Sequence, residues 1–313
     1  MMVWFETLGR AMIDTLIAGL MVIVGVFPEA LSAPFDYAFM QRALLTSILV
    51  GAICGLLSCF VVLKRWSLLG DAISHAVLPG VAIAYLLGWP FFIGAFLAGA
   101  VSALGIGALE RHTRIKSDAA MGLMFTFAFA LGVVIIGKIA TNTHLMHILF
   151  GNVLGVQYPA LMLTLFSGVV ALMAVWIFYR PLVLYTFDPM QARALGFNTS
   201  VVHYGLILLL TLTIVASLET VGIILVVAML ITPGATAHLL TERLTTMMLL
   251  SVGTGVLSAV LGLYLSFQFD LASGGAIVLV ATALFTVALL AAPRHGLVGR
   301  WWRRRQGPGT TTS

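Results

Sequence analysis

Charge is what this sequence has least of: 9% of its 313 residues are Asp, Glu, Lys or Arg, where soluble globular domains carry about 25%. A chain with so little ionisable surface cannot face water on all sides, which excludes a soluble enzyme and a nucleic-acid-binding domain. Cysteine is nearly missing as well. Cys54 and Cys59 are its two cysteines, both inside one apolar run; they fit no zinc or thioredoxin spacing, and a secreted disulfide scaffold is excluded with them. Neither HExxH nor GxSxG occurs, so nothing points to an embedded metalloprotease or a serine hydrolase. Gly132 to Lys138 has the GxxxxGK spacing of a phosphate-binding loop, but Ile139 stands where Ser or Thr would hold Mg²⁺, and the surrounding run reads as a membrane helix. The chain thus has no means of hydrolysing ATP, and an ATP-driven role needs a partner.

What is abundant is apolar side chain, at 61% of residues with a mean hydropathy of +1.11. Apolar runs of roughly 20 residues span a bilayer as helices. They predict an all-α polytopic membrane protein with spans near 44–63, 67–88, 91–109, 119–139, 160–179, 202–218, 221–240, 246–266 and 274–292. A shorter run over 11–27, interrupted by Asp14, is read as a retained helix whose placement stays open between an extra span, an interfacial helix and a signal-like segment. The chain therefore divides into an amino-terminal segment 1–38, a transmembrane domain of eight to nine helices over 39–293 and a basic tail over 294–313.

The net charge of +5 does not mark a nucleic-acid surface, because the basic residues sit in short clusters between apolar runs. With nine alternating spans, Lys64/Arg65, Arg111/Arg114/Lys116, Arg180/Arg193, Arg243 and the tail Arg294 to Arg305 share one side, and only Arg42 and Lys138 fall opposite. The positive-inside rule makes that side the cytoplasm and places the carboxyl terminus of this multi-pass protein there. One connection on this side carries Asp188 before Pro189, an Ala/Leu-rich turn and Gly196; these are start and stop signals for a short helix outside the membrane.

An ionisable residue inside a membrane span asks for a partner or a function. Asp71 and His75 are four apart in Leu69–Gly80, so both project from one helical face. With the helix starting at 67, His75 lies about 12 Å into the core. Pro79 cannot donate to the His75 carbonyl four residues back, and the stretch has the look of an interrupted transporter helix. Carboxylate, imidazole and backbone oxygen form a set suited to Mn(II), Fe(II) or Zn(II); the other reading is that the pair holds helices together. Pro233–Gly234 interrupts a second span in the same manner. His144 and His147 in the outer connection, and Glu219 at an outer mouth, are further candidate metal contacts, while His238 sits near an inner end. Gly51 and Gly55 have the spacing of a small-residue packing motif.

Several segments resemble the permease subunits of the zinc/manganese/iron family of ABC importers. They are Phe39–Leu44, Leu69–Gly80, Leu149–Gly155, Asp188–Gly196 and Val227–Ala237. The resemblance implies a non-enzymatic permease of a bacterial inner membrane that forms the path for a transported Mn(II), Fe(II) or Zn(II), with no permanently bound cofactor. It also implies a second permease subunit, identical or a sister chain, cytoplasmic ATPase subunits docking near Asp188–Gly196, and an external metal-binding protein. Asp71 and His75 match the acid and histidine that line the metal path in such permeases, and Met229–Ala237 looks more like the Mn/Fe branch than the Zn branch. A proton-coupled secondary transporter of divalent metal is the alternative, and an embedded enzyme a third.

Overall fold

The computed structural model describes residues 2–26, 28, 32–138 and 153–292, with backbone alone at 2–6 and 8. Among them run twelve α-helices and no strand: α1 Met2–Val24, α2 Ala38–Leu63, α3 Leu69–Leu87, α4 Phe91–His112, α5 Ser117–Lys138, α6 Tyr158–Ile177, α7 Tyr179–Phe187, α8 Pro189–Ala194, α9 Thr199–Val221, α10 Ile223–Leu240, α11 Leu244–Phe269 and α12 Ser273–Ala291. Nine of these, α2 to α6 and α9 to α12, are long and apolar enough to cross a membrane, and they coincide with the nine spans read from the sequence. The basic tail 294–313 lies outside the described residues.

α2 is the hub. It packs on α11, α10, α6 and α1, while α3 packs on α4 and α5. A helix apolar on every side has to be buried, and α2 achieves this with small residues where neighbours come close. Gly51 lies so near α11 that a Cβ would stand 2.8 Å from the Gly255 oxygen, and one on Gly55 would stand 2.8 Å from the Ser251 oxygen. The Ser251 hydroxyl donates to the Gly55 carbonyl across the same seam. The spacing of Gly51 and Gly55 thus serves packing. Cys54 and Cys59 are free, buried thiols in the same helix.

The seam between α3 and α4 is closer still. A Cβ on Gly80 would run into the Gly94 carbonyl, and one on Gly94 into that of Gly80. Gly80→Val should therefore destabilise the chain by at least about 1–3 kcal/mol, read as a lower unfolding midpoint in detergent; an unchanged midpoint would mean the helices can separate at no cost.

Both prolines predicted to interrupt helices leave them continuous, since α3 runs through Pro79 and α10 through Pro233. A proline removes one N–H, and neighbouring helices can satisfy what it frees. Beside Pro233 the neighbouring helix holds the adjacent groups: Ser58 of α2 donates to the Ile231 carbonyl at 3.3 Å and accepts from the Gly234 N–H at 2.9 Å.

Residues 11–24 of that apolar run belong to a longer helix, α1, lying against α2 and α6. Ile13 and Ile17 are buried with Leu45, Val156 and Leu161. Asp14, which breaks the apolar pattern, accepts from the Tyr158 hydroxyl at 3.1 Å. The Arg10 and Arg42 guanidinium groups lie 5.7 and 5.4 Å from the centre of the same ring. α2 begins at Ala38, several residues before the span read from the sequence, and its first turn is held by the Gln41 amide donating to the Phe35 carbonyl.

Candidate functional site

α3 begins where a tight turn ends. Arg65 takes φ +59°, the Trp66 N–H donates to the Val61 carbonyl, and the Leu69 N–H donates to the Trp66 carbonyl, each bond 2.9 Å. Asp71 falls in the first helical turn, where unpaired N–H groups and the helix dipole favour a negative charge. The helix starts at Leu69 rather than 67, so His75 stands about 9 Å along it instead of about 12 Å.

The pair is brought together as its spacing predicts, with His75 Nε2 3.4 Å from Asp71 Oδ1. From Leu69 to Gly80, every other residue of α3 is buried. The Asp71 side chain is 49% exposed and that of His75 28%. A partly exposed carboxylate and imidazole thus stand on the otherwise buried first twelve residues of α3. α5 supplies the wall beside them: Phe125 and Phe129 present their rings edge-on to His75 at 5.2 and 5.6 Å between centroids. Nδ1 of His75 is buried on that side without a hydrogen-bond partner, which leaves Nε2 as the nitrogen turned to Asp71.

Among the described residues no three His, Cys, Asp or Glu side chains gather to hold a metal. Two donors from one helix leave most of a Mn(II) or Fe(II) coordination sphere to other groups. The hollow beyond Pro79, about 330 Å³ between α3, α4 and α5, is lined by Ala76, Ile83, Leu97, Phe127, Leu131 and similar residues with no ionisable group, so it does not continue an ion route.

The other candidates stand apart. Glu219 is exposed in the last turn of α9, at the end of the bundle away from Lys64. His238 is exposed in the last turn of α10. His144 and His147 lie outside the described residues. The segment after Tyr185 folds as the short helix α8, with the Asp188 side chain accepting from the Met190 and Gln191 N–H groups and Gly196 at φ +83°. Its Met190 and Leu195 are exposed apolar residues.

Sequence reasoning missed a polar cluster at the start of α9, built from Lys64, Tyr185, His203 and Glu110. His203 is an ionisable residue inside an apolar run, and that signal was available.

This architecture has known counterparts. The profile of the ABC 3 transport family matches residues 36–292. The chain belongs to the ABC 3 transport family. Within it, a manganese transport system membrane protein of Halalkalibacterium halodurans is 53% identical over 272 residues, covering 87% of this chain and 93% of that protein. The chelated iron transport system membrane protein YfeD of Yersinia pestis is 46% identical, covering 83% and 88%. Among solved structures, PsaBC from Streptococcus pneumoniae in complex with Fab superposes with a TM-score of 0.75 at 42% identity, covering 86% of this chain and 96% of that one. The ABC 3 transport family match takes in the nine long helices and α7 and α8, and leaves α1 outside it. As a member of this family the chain is a multi-pass transport subunit, not an ATPase.

Proposed function

We propose that this chain is the permease of an ATP-driven importer of divalent metal, carrying Mn(II) or Fe(II) past Asp71 and His75. One observation carries the reading: on a helix buried along its first twelve residues, the two exceptions are a carboxylate and an imidazole one turn apart. A second permease copy or sister chain, facing this side of α3, supplies or shapes the remaining ligands together with water. The names of the manganese and iron relatives favour those metals over Zn(II).

The basic clusters set the orientation. Contacts from Lys64 to Tyr185, Arg111 to Tyr204 and Tyr179 to Thr245 put the ends of α2 and α4, the short helix α7 and the starts of α9 and α11 at one end of the bundle. That end is cytoplasmic by the positive-inside rule, so the carboxyl terminus is cytoplasmic, Glu219 faces the external metal-binding protein, and α8 faces the ATPase. Family membership leaves the proton-coupled alternative without support.

Uptake into liposomes holding the permease with its ATPase tests this reading. Mn(II) accumulation should require ATP, and Fe(II) should compete with it better than Zn(II) does. Accumulation driven by a proton gradient without ATP would overturn the assignment.

A further inference from the structure

At the end of the bundle where α8 lies, a single buried side chain joins three elements. Tyr185 sits in α7, three residues before the Asp188 that caps α8. Its hydroxyl is 2.6 Å from His203 Nδ1 on α9. Its carbonyl accepts from Lys64 Nζ at 3.1 Å, and the same ammonium stands 3.7 Å from the centre of its ring. Lys64 closes α2 and opens the turn into α3. Trp66, two residues on, is buried with its ring edge-on to His203 at 5.4 Å, and its carbonyl receives the N–H of Leu69. The distance in sequence from this turn to Asp71 is only one helical turn more.

α4 closes the other side. A Cβ on Gly107 would stand 3.1 Å from His203 Nε2 and 2.9 Å from the Tyr204 ring, so the His203 and Tyr204 side chains lie close against the α4 backbone. Burial pushes the Tyr185 hydroxyl well above the usual phenol range, with Glu110 adding to the rise and Arg111 opposing it. Burial likewise lowers Lys64, and Glu110 opposes that. Tyr185 is therefore a neutral donor and acceptor throughout the physiological range. Glu110 Oε2 is buried without a hydrogen-bond partner. A purely structural knot would satisfy such a group, because leaving it unpaired is costly; the spare acceptor capacity suits a cluster that is rearranged when the bundle moves.

We propose that Tyr185 is a positioning residue that carries displacement of α8 to the start of α3, and hence to Asp71 and His75, through its bonds to Lys64 and His203. This rests on the reading of α8 as the ATPase contact. It assigns a mechanical route between the two ends of the transport cycle, carried by a contiguous chain of packed and hydrogen-bonded side chains.

The test uses the permease reconstituted in liposomes with its ATPase, with Mn(II) as the transported ion and Mn(II) delivered per ATP as the readout. Tyr185→Phe keeps the ring that Lys64 faces and removes only the hydroxyl. ATPase association and ATP turnover should stay within about twofold of wild type, while Mn(II) per ATP falls about fivefold or more, the factor one lost hydrogen bond carries. His203→Leu should behave alike, and His203→Asn, which keeps a polar atom near the place of Nδ1, should recover most of the ratio. An unchanged ratio in Tyr185→Phe and His203→Leu overturns the proposal, as does a parallel fall of ATP turnover, transport and yield, which marks a structural role. Retained ATPase association in a Met190→Asp/Leu195→Asp variant overturns instead the underlying reading of α8, so the two failures are distinguishable.

Discussion

Asp71→Ala and His75→Ala each lower ATP-driven Mn(II) uptake by at least about 10- to 100-fold, the range that loss of an outer-shell partner alone carries at metal sites. Both side chains are partly exposed on a helix that is otherwise buried over its first twelve residues. Truncation therefore leaves no large core cavity, and folding should be retained. Detergent-solubilised yield and ATPase association report folding, so the expected pattern is normal assembly with failed transport. Asp71→Asn and His75→Gln sharpen the reading. Each keeps shape and hydrogen bonding while removing a hard anionic oxygen or the imidazole nitrogen, and the asparagine variant should be nearly as inactive as the alanine one. Uptake at wild-type rates in Asp71→Asn would show that the carboxylate is structural.

A comparable loss is expected at the opposite end of the mechanism. Met190 of α8 is 73% exposed and its C-cap Leu195 59% exposed, although α8 is a helix of only six residues held in place by the Asp188 cap and the Gly196 stop. Large apolar side chains displayed on a short capped helix outside the membrane read as a protein contact. Met190→Asp combined with Leu195→Asp puts two carboxylates into that contact and should abolish co-purification of the ATPase, since burying an unpaired charge is strongly unfavourable. Asp188→Ala tests the cap separately. It removes the acceptor for the Met190 and Gln191 N–H groups, which costs about 1 kcal/mol of helix stability, and should weaken association without eliminating it. Undiminished association in the double variant would place the docking surface elsewhere.

The long helices were legible because a bilayer leaves the chain few options: every backbone polar group must be paired within the lipid, and runs of sufficient length become helices. α8 was legible for a different reason, since Asp188–Pro189 and Gly196 are specific start and stop chemistry. α7 was not. Tyr179 to Phe187 mixes aromatic, basic and aliphatic residues without caps, and its helical state comes from packing against α9 and α6. The first turn of α2 escaped an apolar window because Gln41 and Arg42 separate it from the apolar run, while the Gln41 bond to Phe35 holds it in place.

At the candidate site the spacing of Asp71 and His75 put both on one face, which is local geometry and therefore readable. The rings of Phe125 and Phe129 beside His75 were not, because a contact between residues so far apart in sequence is set by how α3 and α5 pack. Proline was over-read. Pro79 and Pro233 were expected to break their helices, but one missing N–H is a small perturbation when a neighbour such as Ser58 bonds the adjacent groups. His203 was passed over although it lies in an apolar run. Its significance depends on Tyr185, Lys64 and Trp66, which only the folded bundle assembles around it.

Pulsed electron paramagnetic resonance on Mn(II) trapped in the assembled transporter, with its ATPase arrested by vanadate, reads the metal's first coordination shell directly. An imidazole nitrogen coupling should be present in the wild-type protein and vanish in His75→Ala. Its absence from the wild type, or its persistence in that variant, would contradict the placement of the metal path at α3.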